Sequence, residues 1–138
     1  IPAVAVYLQV LRTITDQDVL AHYYRLKELL DQYGLLFPKH EAMDLYTYAL
    51  NYCIRTINHG NLQFNEELFD IYNSLINKEI IFVNNELSPW DFRNIIVVAN
   101  RLGRYEWSEN FIVTYSPKIP EPYRESNMYG ALYCGGWS

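Results

Sequence analysis

The segment from 88 to 120 carries the clearest structural signal in this sequence. Ser88 can cap a helix, Pro89 can occupy its first turn, and Asp91 can complete a capping box. Apolar residues then recur at helical spacing, at Phe92, Ile95, Ile96, Ala99 and Leu102. Gly103 follows at the position where a helix commonly ends in a positive φ, which a glycine adopts at little cost. A second helical pattern runs on to the prolines near 120, so the segment predicts a helical hairpin that turns at Gly103.

The first helix is expected over 4–14, where almost every residue is apolar. We expect Tyr7, Leu8 and Leu11 to face inward. The low charge of this segment also suggests that another element covers it, since an amphipathic surface helix has a polar face.

Three further helices are expected in the first half of the chain. One spans 19–33 and ends at Gly34. The next begins after Pro38 and ends at Gly60, and Asn65 is expected to cap the third. Turns at these two glycines and at Gly103 would separate the helices.

The apolar run 80–83 is rich in β-branched residues, but nothing else in the chain could pair with it as a strand. We therefore predict a buried connector, followed by a turn at Asn84 and Asn85. A last helix is expected over 121–133. Six or seven helices joined by short turns predict an all-α fold of stacked antiparallel helical hairpins. No low-complexity segment or long linker divides the chain, so 1–138 is read as a single helical-repeat domain.

Composition limits the class of function. The net charge is −5, and the stretch 61–91 holds six acidic residues against one lysine, which disfavours binding to nucleic acid. The cysteines, Cys53 and Cys134, lie among aromatic residues away from any ligand cluster, and we predict buried free thiols in a reducing, cytoplasmic setting. The sequence contains no run of 18 apolar residues, and so no segment is predicted to span a membrane. Because there is no initiator Met, we expect a piece of a longer protein.

The pattern around Gly103 resembles the tetratricopeptide repeat, and is similar to uncharacterised bacterial proteins of this type. The matching residues are Phe92, Asn94, Ile95, Ala99, Leu102, Gly103, Tyr105, Ser108, Ile112 and Pro120. The resemblance implies a right-handed α-solenoid whose first helices line a concave groove that binds a protein or peptide. It names no catalytic residue and no cofactor. The candidates for such a groove here are Asn51, Asn94, Arg101, Tyr48 and Tyr52.

A second segment, 48–53 with 67–70 and 78–80, is similar to the pentatricopeptide repeat, whose members read single-stranded RNA. An RNA groove needs Lys and Arg along it, and this segment is acidic. RNA binding is therefore the less favoured reading. A purely structural or assembly segment of a larger protein is another alternative.

No residue set in the sequence indicates catalysis or a metal site. His22, His40 and His59 lie on three different segments without the spacing of a metal-binding motif. The sequence therefore favours a non-catalytic scaffold that binds a protein or peptide, without a cofactor. The apolar end of the chain, from Tyr129 to Trp137, predicts association into a homodimer.

Overall fold

A computed structural model describes residues 1–121 and places them in six α-helices. The helices are α1 (Pro2–Thr15), α2 (Leu20–Tyr33), α3 (Lys39–Asn58), α4 (Phe64–Asn77), α5 (Pro89–Arg101) and α6 (Tyr105–Tyr115). Within this described range the backbone contains no β-strand, and an isolated bridge joins Val83 to Glu86. The all-α prediction is confirmed for these residues. The predicted helix over 121–133, the second cysteine Cys134 and the predicted dimer contact at Tyr129 to Trp137 lie outside them.

The chain divides into two compact units, one over 1–80 and one beginning at Ile81. The single helical-repeat domain over 1–138 stays a prediction. In the first unit α1 packs on α2, α2 contacts α3, and α3 packs on α4. In the second unit α5 packs on α6. Helices that are neighbours in sequence therefore pack as pairs, as short connections favour.

The core of the first unit centres on Tyr23 of α2. Its ring stacks on that of Tyr52, with centroids 5.0 Å apart and planes inclined by 12°. The Tyr23 hydroxyl donates to Glu67 at 2.9 Å, and the Glu67 carboxylate also pairs with Lys27 at 2.7 Å. Cys53 donates its thiol proton to the same hydroxyl, with the two atoms 3.4 Å apart, and burial raises the pKa of the Cys53 thiol to about 12. The predicted burial of this free thiol is confirmed.

Helix α1 packs on α2 by a different face from the one predicted. Tyr7, Leu8 and Leu11 are exposed, so the expectation that they face inward is wrong. The buried face includes two polar residues, Gln9 and Thr13, alongside Val6 and Val10. Both polar side chains donate to the carbonyl oxygen of His22 in α2, Gln9 at 2.9 Å and Thr13 at 3.2 Å. These hydrogen bonds satisfy the buried polar atoms of Gln9 and Thr13. The face of α1 that carries them therefore lies against α2, although it is not the most apolar face of the helix.

Two of the three predicted turn glycines have the expected geometry. Gly60 and Gly103 adopt φ values of +103° and +74°, which confirms the expected positive φ at Gly103. Gly34 ends α2 with φ at −55° and begins a 3-10 turn, Gly34–Leu36, so it is not a left-handed turn residue. A side chain there would instead meet the ring of Tyr46, whose nearest atoms lie 3.0 Å from the position of a Cβ. Close packing therefore explains this glycine.

The predicted helix caps are partly wrong. Helix α4 begins at Phe64, and Asn65 lies in its first turn, where its amide donates to the carbonyl of Leu62 at 2.9 Å. Pro89 opens α5 as predicted, but within residues 1–121 the Ser88 side chain makes no capping hydrogen bond. Both helices are present as predicted, and the differences from the sequence expectation are limited to the side-chain contacts at their N-termini.

The connector after α4 follows the prediction of a buried segment over 80–83 except at its last residue. Ile80, Ile81 and Phe82 are buried, while Val83 is exposed. The turn that follows has Asn84 and Asn85 at φ values of 52° and 62°, a conformation that asparagine tolerates better than most residues.

Candidate functional site

The candidate site is a cleft between the C-terminal end of α1 and helix α3. Three of the predicted groove residues, Tyr48, Asn51 and Tyr52, line it from α3. The end of α1 and the turn after it supply the opposite wall, with Thr13, Ile14 and Gln17. The volume of this part of the cleft is about 280 Å³. Sequence reasoning therefore identified one wall and not the other.

A second depression of about 300 Å³ continues the first toward the end of α3. The two share Gln17, Tyr52 and Arg55, and so form one continuous surface, the α1–α3 cleft. The second part is further lined by Asp18, Leu20, Thr56, His59 and Asn61. Along α3 the cleft runs from Tyr48 to His59, eleven positions further on, which is about 16 Å at 1.5 Å per residue.

Tyr52 forms the floor of the α1–α3 cleft rather than a free contact. Its side chain is 4% exposed, and its ring is held from behind by the stack with Tyr23. Its hydroxyl donates to the carbonyl oxygen of Gln17 at 3.0 Å, which joins α3 to the turn between α1 and α2. Burial raises the pKa of this hydroxyl, so it remains a protonated donor at neutral pH. The two walls of the cleft are thus held at a set separation.

Arg55 is the cation of the α1–α3 cleft. Its guanidinium carbon lies 5.1 Å from the centroid of the Tyr52 ring, a cation–π geometry that orients the group across the cleft. The side chain is half-buried and forms no ion pair with any other residue in 1–121. One carboxylate, that of Asp18, is among the residues that line the cleft.

Amide and imidazole groups surround this cation. Gln17, Asn51 and Asn61 are exposed on the lining, and each amide can both donate and accept. His59 is exposed, and its Nδ1 lies 2.8 Å from the carbonyl oxygen of Arg55, which leaves Nε2 free to face the cleft. A polar ligand with carbonyl or carboxylate oxygens would find complementary groups on both walls.

The other two predicted groove residues do not belong to this cleft. Asn94 and Arg101 lie on α5, in the second unit. Asn94 is 1% exposed, and its side-chain oxygen has no hydrogen-bond partner within residues 1–121. Burial lowers the pKa of Arg101. Their seven-residue spacing places them on one face of α5.

Arg55 and Gln17 are among the residues of the site that the sequence analysis missed. Arg55 lies three, four and seven positions after Tyr52, Asn51 and Tyr48, so a helical wheel of α3 contains the signal that identifies it. Gln17 carries no such signal, because the packing of α1 on α2 brings it to the cleft.

Chemistry of other kinds has no support in the described residues. Among positions 1–121 no three His, Cys, Asp or Glu side chains come close enough together to hold a metal ion. His22 lies 3.6 Å from Asp16, while His40 and His59 lie at opposite ends of α3. None of the helices in this range combines the length and the apolar character needed to cross a bilayer.

Comparisons of the chain with protein-family models, with curated proteins and with solved structures give no match. The likeness to tetratricopeptide repeats therefore stays a prediction from the sequence.

Proposed function

We propose that this chain is a helical-repeat scaffold that binds an extended peptide segment of a protein partner in the α1–α3 cleft. The observation that carries the proposal is the geometry of Arg55, which is stacked on Tyr52, without an ion-pair partner in residues 1–121 and set between exposed amide groups. The proposal is of a non-catalytic protein.

The lining of the cleft suits a peptide better than a compact small molecule. Small-molecule sites are mostly apolar and enclosed, whereas this cleft is open along one side of α3 and lined by amides. A length of about 16 Å accommodates about five residues of extended chain. The amides of Gln17, Asn51 and Asn61 can pair with peptide N–H and C=O groups, and Arg55 with a carbonyl or carboxylate.

The charge of the cleft disfavours RNA as the ligand. Binding to a phosphate backbone needs several cations along the groove, because affinity comes largely from neutralising successive phosphates. Arg55 is the one Lys or Arg among the residues that line the described cleft, and Asp18 offsets its charge. A peptide needs only one contact with a cation, and therefore fits the observed lining better than RNA does.

The proposal can be tested by selecting peptides from a random display library against the wild-type chain. Affinities of the selected peptides are then measured by isothermal titration calorimetry for the wild type and for Arg55→Glu. Loss of a charge-assisted hydrogen bond is expected to weaken binding by about tenfold or more. Lys39→Glu is the matched control, because it makes the same charge reversal at an exposed site in the first turn of α3.

Circular dichroism should show that both variants keep the wild-type helix content, since neither side chain is in the core. Selected peptides that bind Arg55→Glu and the wild type equally would contradict the proposal. A selection that yields no binder would also contradict it.

A further inference from the structure

Helix α1 exposes a continuous apolar strip. Its members lie at the spacing of a helix-pairing seam, with Ile1, Val4, Leu8 and Leu11 separated by three, four and three residues. Tyr7 and Ile14 flank this line, seven residues apart. We call these six residues the α1 seam. Their exposed fractions run from 42% at Ile14 to 94% at Ile1.

The α1 seam cannot turn toward the interior of its own unit. The opposite face of α1 is buried, and Gln9 and Thr13 on that face bond to the carbonyl oxygen of His22. Tyr7 adds a second constraint, because its hydroxyl bonds to Glu41 and its ring meets that of Phe37 edge-on at 6.1 Å. The exposure of the seam is therefore set by contacts on the other side of the helix.

We propose that the α1 seam pairs with the α1 seam of a second copy of this chain, with the two helices antiparallel. From the exposed fractions, the six side chains present roughly 500 Å² of apolar surface per copy, or about 1,000 Å² for two copies. This area meets the lower limit for a specific interface. A weak, concentration-dependent dimer is therefore expected.

The charge pattern favours a second copy and the antiparallel arrangement. No charged residue of α1 occurs between Ile1 and Leu11, so the two paired helices bring no like charges of their own together; the nearest charge is Glu41 of α3, at the edge of the seam, where it accepts from the Tyr7 hydroxyl. Arg12 is the first charged residue of α1. A parallel pair would set the two Arg12 side chains close together, whereas an antiparallel pair centred near Leu8 separates them by about 12 Å along the helix axis. Antiparallel helices also align their dipoles favourably.

Sedimentation velocity tests the proposal on the full chain, over about 10 µM to about 1 mM protein. We expect the wild type to dimerise and Leu8→Glu to raise the dimer dissociation constant at least tenfold. Leu35→Glu is the matched control, since it makes the same change at a site that is 66% exposed and outside the seam. Because Leu8 is itself 46% exposed, its replacement should leave the helix content by circular dichroism unchanged.

Cysteine cross-linking tests the arrangement. In the antiparallel pair Leu8 lies near its own counterpart, so Leu8→Cys should form a covalent dimer under mild oxidation, and Leu35→Cys should not. Val4→Cys should cross-link to Leu11→Cys in a mixture of the two variants, more readily than to itself. Cys53 is buried and should not take part.

Two results would overturn the inference. One is a wild-type chain that remains monomeric at the highest concentration. The other is a dimer that survives Leu8→Glu but dissociates with Trp137→Ala, which would place the contact at the C-terminal end of the chain. Ile14 belongs both to the seam and to the lining of the cleft, but Arg55 lies outside the seam, so the Arg55→Glu variant should lose peptide binding and still dimerise like the wild type.

Discussion

Replacing Gly103 by valine isolates the backbone strain of a single helix end. Gly103 adopts φ of +74°, and a Cβ built there meets no atom within 4 Å. The substitution therefore creates no clash, and its whole effect is conformational. A left-handed conformation costs an L-residue about 1–2 kcal/mol, and more when the side chain is β-branched.

The chain cannot relieve this strain by changing φ. The N–H of Arg104 donates to the carbonyl of Ala99 at 2.9 Å, and that of Gly103 to Asn100 at 3.0 Å, and both bonds require the turn. We expect a loss of about 1–2 kcal/mol or more in stability, and a melting temperature lower by roughly 4–10 °C. Gly103→Asn should lose less, because asparagine tolerates the left-handed region.

Tryptophan fluorescence during urea unfolding makes the measurement specific. Trp90 and Trp107 lie in the unit that begins at Ile81, and Trp137 follows them in the sequence, so no tryptophan lies in 1–80 and the fluorescence midpoint reports on the unit that contains Gly103. Gly60→Val is the control, since Gly60 has φ of +103° and equally open surroundings but lies in the other unit. An unchanged fluorescence midpoint in Gly103→Val, or an equal loss in the asparagine variant, would refute the reasoning.

Three further changes test other parts of the structure. Burial raises the pKa of Asp91 to about 6 from 3.8, so the folded state binds this proton more tightly than the unfolded state does. The buried carboxylate therefore destabilises the folded protein fully above pH 6, and this destabilisation disappears toward pH 4. Asp91→Asn should raise the free energy of unfolding by about 1–2 kcal/mol at pH 7, and denaturation curves should show a weaker dependence of stability on pH between these values. Gly34→Ala should destabilise by about 1–3 kcal/mol through contact with Tyr46, which is 1% exposed and cannot move aside, and a neutral result in a thermal melt would exclude this clash. Tyr23→Phe should lose about 1–2 kcal/mol and leave the Cys53 thiol without its acceptor, so unaltered stability would show that the buried hydrogen bonds contribute little.

The helices themselves were predictable because their signals are local. The spacing of Phe92, Ile95 and Ala99 requires only a helical period, and Gly60 and Gly103 are the residues that adopt a positive φ at least cost. The caps were less predictable, because several positions near a helix start are compatible with the same local sequence: Gln63 rather than Asn65 is the N-cap of α4, and Ser88 is the N-cap of α5 as predicted but without a side-chain hydrogen bond.

The candidate site was half predictable for the same reason. Tyr48, Asn51, Tyr52 and Arg55 share a face of α3 by spacing alone, so one wall of the α1–α3 cleft can be read from the sequence. Gln17 lies 35 residues before Tyr52, and no periodic pattern relates two residues on different elements. The opposite wall depends on how α1 packs.

The orientation of α1 shows most clearly what the sequence by itself determined and what tertiary structure decided. Its composition determined that 2–15 would be helical and that some apolar surface would have to be covered. Apolar residues occur all round the helix, so periodicity could not select the buried face. That choice rests on Gln9 and Thr13, whose hydrogen bonds to the carbonyl of His22 form only once α2 is in place. Satisfying those buried polar groups left the more apolar strip, from Val4 to Leu11, facing outward.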